Sequence, residues 1–332
     1  MSTPTRTIPA LGRTTAPIGL GCMGMSWAYT SRADAYSVDG VDVIRAALDR
    51  GITLLDTSDA YAAGTNEELV GRAISGRRDE AIIATKGGLV GHVVDGRPTL
   101  ERDGRPKHLR EAVDASLRRL GVDVIDLYYL HRIDPQVPVE ESWGTLAEAV
   151  RAGKVRAIGL SEVTTEQADT AHGIHPVAAI QSELSLWTRD ALGVGTNSDG
   201  AAAGDLVGWC AAHEAIFVPF SPLGRGFLTG ALDPGTLPDS DFRAHLPRFT
   251  GDAARTNLRL VETVREIAER HGATPAQVAL AWVLARGPEV IPIPGTTRIT
   301  RLDENLGATT LELGADDLSI LDGLPAAAGS RY

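Results

Sequence analysis

Short apolar runs alternate with amphipathic helical patterns along the whole chain, and this alternation limits the fold more than any other feature. Strand-like runs fall at 18–24, 52–56, 81–86, 126–131, 155–161, 177–181, 216–220 and 290–293. Between them lie stretches of helical period. Val41, Ile44 and Leu48 recur at i, i+3 and i+7 before Gly51, and further helices are predicted over 66–74, 109–120, 139–152, 165–172, 205–213, 257–271 and 275–285. Thr274 before Pro275 is an N-cap followed by a first-turn proline, a strong helix start. A chain of 332 residues would suggest two domains at roughly 150 residues each. Eight β-then-α units with no break in composition argue instead for one closed α/β domain, a single (β/α)8 TIM barrel preceded by an N-terminal hairpin turning at Gly12.

Three stretches, 87–107, 189–204 and 221–256, are too long to be simple connectors. All follow strand C-termini, the face on which such a barrel carries its active site. The middle one holds Gly193, Gly195, Gly200 and Gly204 and reads as a flexible, disorder-prone loop.

Composition then removes whole classes of function. The formal charge is −11 and no cluster of Lys and Arg offers a stripe for a phosphate backbone, so nucleic acid is not an expected partner. No run of 18 apolar residues predicts a membrane span, and residues 1–13 lack the apolar stretch of a signal peptide. Two cysteines, Cys22 and Cys210, cannot build a disulfide framework, and a reducing cytoplasm is the default setting. One motif is a decoy. Gly19-Leu20-Gly21-Cys22-Met23-Gly24 matches G-x-G-x-x-G, which marks a dinucleotide site only when the third glycine opens a helix. The residues that follow contain Trp27, Tyr29 and Tyr36 and no helical period until about Val38. A glycine-rich strand end, where something approaches the backbone closely, fits better.

Reading only the strand C-termini gives Asp56, Lys86 and His131, with Tyr61 five positions beyond Asp56. Singly, each has a plain explanation: a turn cap, a snorkelling amine, a satisfied core imidazole, rim packing. Together they form a device for giving a proton to a carbonyl oxygen. A phenol with pKa of about 10 is a weak acid at neutral pH. A neighbouring ammonium stabilises the phenolate and lowers that pKa, and a carboxylate holds the ammonium charged and in place. An imidazole N–H can then orient the carbonyl and stabilise the charge growing on its oxygen.

With these motifs in this order, nearly the whole chain resembles the aldo-keto reductases. The likeness is carried by 19–24, 56–61, Thr85-Lys86, 126–132, Gly159-Leu160-Ser161, Gln181, 221–226 and Pro294-Gly295-Thr296-Thr297 with Arg301, Glu304 and Asn305. The segments 131–134 and 185–190 resemble most the subgroup of perakine-reductase-like, auxin-induced-type and bacterial reductases. The resemblance implies NADPH-dependent reduction of aldehydes and some ketones, with Asp56, Tyr61, Lys86 and His131 as a catalytic tetrad and Tyr61 as the proton donor.

It also implies a cofactor site. Ser161, Glu162 and Gln181 would hold the carboxamide, Glu162 standing where many members have Asn. Phe220 would stack on the nicotinamide where many have Tyr. Gly21, Cys22 and Met23 would line the site, and Ser221, Pro222, Leu223 and Arg225 would lie over the pyrophosphate within the cofactor-covering stretch 221–256. Thr296 and Arg301 would hold the 2′-phosphate, with Glu304 and Asn305 near the adenine and Gly295 and Thr297 among the other cofactor-binding residues. A guanidinium at Arg301 favours NADPH over NADH, while Gly295 replaces a common family lysine. Arg225 and Arg301 would make the site locally positive within an acidic protein. Two other functions remain open: a cofactor-sensing regulatory subunit of the channel β-subunit kind, and a sugar or polyol dehydrogenase acting oxidatively. Trp27, Tyr29, Trp187 and the loop after Lys86 are expected as substrate-pocket walls or as rim packing, and the assembly as monomer or homo-oligomer.

Overall fold

The computed structural model describes residues 4–26, 39–94, 97–239 and 241–331. The chain opens with an antiparallel hairpin, β1 (Arg6–Ile8) and β2 (Arg13–Thr15), turning at Gly12 with φ of 59°. The elements that follow are β3 (Leu20–Gly21), α1 (Gly40–Asp49), β4 (Leu54–Asp56), α2 (Thr65–Ile74) and β5 (Ile82–Gly87). A hairpin of β6 (Leu89–Val94) and β7 (Arg97–Arg102) precedes α3 (Pro106–Leu120), β8 (Ile125–Leu130), α4 (Val139–Arg151) and β9 (Val155–Ser161). Then come α5 (Thr165–His172), β10 (Ala179–Glu183), α6 (Leu206–Ala212), β11 (Ile216–Phe220), α7 (Gly251–His271), α8 (Pro275–Leu284), α9 (Ile299–Gly307) and α10 (Ala315–Asp322).

Seven strands pair in parallel in the order β3-β4-β5-β8-β9-β10-β11, which follows the chain and gives the (β/α)8 barrel its wall. The eighth stave is the predicted strand 290–293, in extended form but bonded unevenly. On one side the N–H groups of Ile291 and Ile293 reach Phe217 O at 2.8 Å and Pro219 O at 3.0 Å. On the other, Gly19 and Gly21 donate to Pro292 O at 2.9 Å and Pro294 O at 3.4 Å. Pro292 and Pro294 have no N–H to return to β3, so at these two positions the bonds run one way only. No helix among the described residues is long and apolar enough to cross a membrane.

The core has two shells. The inner one contains Leu54, Ile82, Ala84, Leu127, Tyr129, Ala179, Ile216, Val218 and Ile293, with Ile8 of the hairpin. A larger shell lies between the strands and the helices. Strand side chains alternate between these shells. Extending the inner parity toward the C-termini takes Leu54 to Asp56, Ala84 to Lys86, Tyr129 to His131 and Ala179 to Gln181. The alternation that fills the barrel with apolar side chains therefore delivers the polar ones to its mouth.

Several boundaries differ from expectation. The first strand is only Leu20–Gly21, and Met23–Met25 is a 3-10 turn instead of its continuation. A Cβ on Gly19 would lie 3.0 Å from Leu54 O, and one on Gly21 2.9 Å from Ile293 O. The glycines of the decoy motif thus allow barrel staves to meet. Helix α7 begins at Gly251, six residues before 257, and α9 and α10 were not anticipated. Thr274 caps α8 in a reciprocal capping box with Gln277. In the segment 189–204, Leu192 bridges Asp205, Thr196 bridges Ala202, and the Asn197 side-chain Oδ1 accepts the N–H groups of Asp199 and Ala201 at 3.0 Å.

Candidate active site

Lys86, near the C-terminal end of β5, is almost fully buried, at 1% exposure. Its ammonium donates to Asp56 Oδ1 at 2.6 Å, to the Thr57 carbonyl at 2.8 Å and to Tyr61 Oη at 3.4 Å. The other Asp56 oxygen accepts from Gln181 Nε2 at 2.7 Å. Each carboxylate oxygen thus has its own donor. Tyr61 opens a short 3-10 turn whose next two residues, Ala62 and Ala63, have φ of 49° and 53°. The His131 ring meets the Tyr61 ring edge-on with centroids 6.0 Å apart. All four predicted catalytic side chains therefore share one site.

The electrostatics differ in one respect from the expectation. Burial pushes the Tyr61 phenol above its ordinary value, and Lys86 only partly offsets this. The expected depression is not the net effect, because desolvation penalises the phenolate more than one ammonium stabilises it. The phenol therefore keeps its proton until an acceptor arrives. Burial also works against the charge on Lys86, but Asp56 and Tyr61 outweigh it and hold the amine above its usual range. His131 is driven far below its ordinary value by burial, then by Arg132 and Lys86, and so is a neutral imidazole.

Behind His131 lies a contact the tetrad does not include. Ser58 Oγ sits 3.1 Å from His131 Nδ1 and 3.2 Å from Asp59 Oδ1, and it accepts the Ala60 N–H at 3.1 Å. Two buried polar residues between Asp56 and Tyr61, Thr57 and Ser58, were the sequence signal for it. Arg132 donates to the His131 carbonyl at 2.6 Å and to Ser161 Oγ at 2.9 Å.

The residues expected around a cofactor fall into three groups. At the mouth, the Cys22 N–H donates to Asp56 O at 2.9 Å, Met23 begins the adjoining turn, and Ser161 and Phe220 end β9 and β11. Glu162, with φ of 55°, is buried; it accepts the Glu183 N–H at 2.9 Å and pairs with Arg331 at 2.9 Å. Burial works to raise its pKa, but Arg331 and then Arg132 overcome this and hold the carboxyl below its ordinary range.

The second group is the turn after β11, from Ser221 (φ 50°) through Pro222 and Leu223 to Arg225 (φ 56°). Here the Arg225 side chain donates to Arg331 O at 3.0 Å and pairs with Glu183 at 3.4 Å. Arg331 also meets Glu183 and Asp190, both at 3.2 Å. Arg225 is thus matched by acids at the site.

The third group is the segment Gly295, Thr296 and Thr297 leading into α9, which carries Arg301, Glu304 and the buried Asn305. Gly295 bridges Gly21, and Arg301, 40% exposed, pairs with Glu304. Trp187 is buried against Phe227 and Phe249 with ring centroids at 4.8 and 5.7 Å, so it is packing and not a pocket wall. Trp27 and Tyr29 lie outside the described residues.

Comparison with known proteins agrees with this geometry. The model of the "Aldo/keto reductase family" matches residues 17–325. A soybean (Glycine max) protein described as "Probable aldo-keto reductase 1" is 42% identical over 320 residues, covering 95% of this chain and 88% of its own. Among solved structures, the glycerol dehydrogenase of Gluconobacter oxydans superposes with a TM-score of 0.84 at 31% identity, covering 97% of this chain and 95% of that one. An aldo-keto reductase of Klebsiella pneumoniae in complex with NADPH gives a TM-score of 0.70 at 27% identity, covering 100% and 98%.

Proposed function

The chain belongs to the aldo/keto reductase family, and on that premise we propose that it is an NADP(H)-dependent oxidoreductase that reduces aldehydes and some ketones to alcohols at Tyr61. The observation that carries this reading is the Lys86 ammonium, 2.6 Å from Asp56 and 3.4 Å from the Tyr61 hydroxyl. Within the family, the segments 131–134 and 185–190 support the perakine-reductase-like and auxin-induced-type subgroup.

The mouth has the donor set a dinucleotide phosphate needs. The turn at 221–226 has positive φ at Ser221, Gly224, Arg225 and Gly226, which bends backbone into a form suited to close approach. Arg301 stands at the start of α9 with its guanidinium partly exposed. Ser161 and Phe220, ending β9 and β11, and Gln181, bonded to Asp56, would meet the nicotinamide end. NADPH, when bound, supplies a hydride to the carbonyl carbon.

The chain's own groups do the rest. Tyr61 gives its proton to the carbonyl oxygen, and the Lys86 ammonium stabilises the phenolate as it forms. Asp56 keeps Lys86 charged in a buried place where an unpaired ammonium would lose its proton. His131, neutral, donates a hydrogen bond to the oxygen while its charge develops; a donor of this kind accounts for about a hundred- to thousandfold in rate.

Purified protein mixed with NADPH and a panel of aromatic and aliphatic aldehydes should consume the cofactor, followed by its absorbance. Turnover no faster than that of Tyr61→Phe on every substrate would refute the reading. The likeness to a glycerol dehydrogenase supports a second reading, oxidation of polyols, which activity with NADP+ and glycerol at raised pH would reveal.

A further inference from the structure

The hydroxyl of Ser58 has three neighbours and three hydrogen-bonding valences, one donor and two lone pairs. The Ala60 N–H can only donate, so it takes one lone pair. His131 Nδ1 and Asp59 Oδ1 share what is left. One receives the Ser58 proton, and the other must donate to the remaining lone pair. An ionised Asp59 cannot donate. It then takes the Ser58 proton, and the imidazole has to carry its own proton on Nδ1, leaving Nε2 bare. A protonated Asp59 donates to Ser58, Ser58 donates to Nδ1, and the imidazole proton sits on Nε2.

We propose that Ser58 and Asp59 are positioning residues that choose the tautomer of His131, so that a proton on Asp59 arms Nε2 as the donor to the substrate oxygen. This rests on the carbonyl-reductase reading above. No proton is consumed or released by the relay during turnover; it determines only which nitrogen faces the oxygen with hydrogen attached.

The surroundings suit such a switch. Glu67 on α2 and Arg119 on α3 face Asp59 and pair with each other at 2.6 Å. Tyr128 on β8 lies in the same field, and the Asp59 N–H donates to the Lys86 carbonyl at 3.2 Å. Burial first, then Glu67, pushes the Asp59 carboxyl up to about 7, against the pull of Arg119. On the other side, Lys86, Arg132 and Tyr61 surround His131, and the two cations, added to burial, keep it neutral. Across the pH range in which Asp59 titrates, the imidazole changes its tautomer and not its charge.

The test is the tautomer itself, read by 15N NMR of histidine-labelled protein without substrate, with the His131 signals identified by their loss in His131→Gln. In the wild type the proton should move from Nε2 to Nδ1 as the pH rises through about 7, while in Asp59→Asn, whose amide still donates to Ser58, it should stay on Nε2. In parallel, wild-type kcat for aldehyde reduction should fall about a hundredfold between about pH 6 and pH 9, the lower end of what one such donor contributes. Asp59→Asn should abolish that fall, Ser58→Ala should abolish it with a low kcat throughout, and Ser58→Thr should restore it. A wild-type tautomer that does not move with pH, or a fall that persists in Asp59→Asn, overturns the proposal. Because the NMR readout needs no turnover, a wild type that reduces no carbonyl would refute the assigned activity and leave the relay to be judged on the tautomer alone.

Discussion

Replacing Asp56 by Asn isolates what the buried ion pair contributes, because Asn keeps the shape and loses one acceptor. The two oxygens of Asp56 take hydrogen bonds from two donors, Lys86 at 2.6 Å and Gln181 at 2.7 Å. The single amide oxygen of Asn can serve only one of them. At an effective dielectric constant of about 20, opposite charges 2.6 Å apart attract by roughly 6 kcal/mol before desolvation is counted. Breaking such a buried pair costs about 3–5 kcal/mol net. At about 2 °C per kcal/mol for a chain of this length, the melting temperature should fall by roughly 6–10 °C.

The pH dependence gives a sharper signature. In the wild type Lys86 is held above its ordinary value of 10.5, so its contribution is fully present below that pH and is lost only as the pH rises through the folded value. In Asp56→Asn burial acts largely unopposed and Lys86 moves down. The unfolded chain then binds more protons than the native one between the two values, and stability should rise with pH from about 7 toward 10. Calorimetric melts across that range, together with kcat for aldehyde reduction, test both effects. A melting temperature within about 1 °C of wild type, with a flat pH dependence, would refute the reasoning.

Arg301→Ala should raise KM for NADPH far more than for NADH, and Glu304→Ala, which frees Arg301 from its ion pair, should lower KM for NADPH; steady-state kinetics with both cofactors checks the pair. Gly21→Ala should destabilise by about 1–3 kcal/mol, since its Cβ would stand 2.9 Å from Ile293 O, a loss that denaturant unfolding would measure. Glu162→Gln should lower stability at neutral pH. Glu162 is held below its ordinary 4.5, so its contribution is present above that value and is lost as the pH falls through the folded one, and acid melts of the two proteins should converge there.

Much of this was legible from residue order, because strand alternation in a closed barrel leaves little freedom in where side chains point. Asp56, Lys86 and His131 share the parity of the inner core, so their convergence follows once their strands are placed. Other features depend on distances that spacing does not encode. Arg225 reads as a free cation in sequence, yet Glu183 comes from a strand 42 positions earlier to meet it. Arg331 reaches Glu162 across 169 positions. Helix α9 had a readable period in Ile299, Leu302 and Leu306, but only Leu302 of these is fully buried, and the stretch reads as a loop after its Pro-Gly-Thr-Thr start. The Ser58 relay was hidden for a different reason: its meaning lies in valence counting around one oxygen, which needs coordinates.

The one-way bonding at Pro292 and Pro294 sets where this cylinder is weakest. Beside Pro292 and Pro294 this junction is stitched from one edge, by Gly19 and Gly21, where a pair of strands ordinarily supplies bonds from both. Local opening begins where stitches are fewest, so those two amides should be the first of the barrel wall to exchange with deuterium. Gly21 and Gly295, on opposite lips of that junction, are both among the residues expected to meet a dinucleotide. A ligand bridging them would act as a clasp, and slowed exchange at Gly19 and Gly21 on adding NADPH would report cofactor capture through the barrel's own seam.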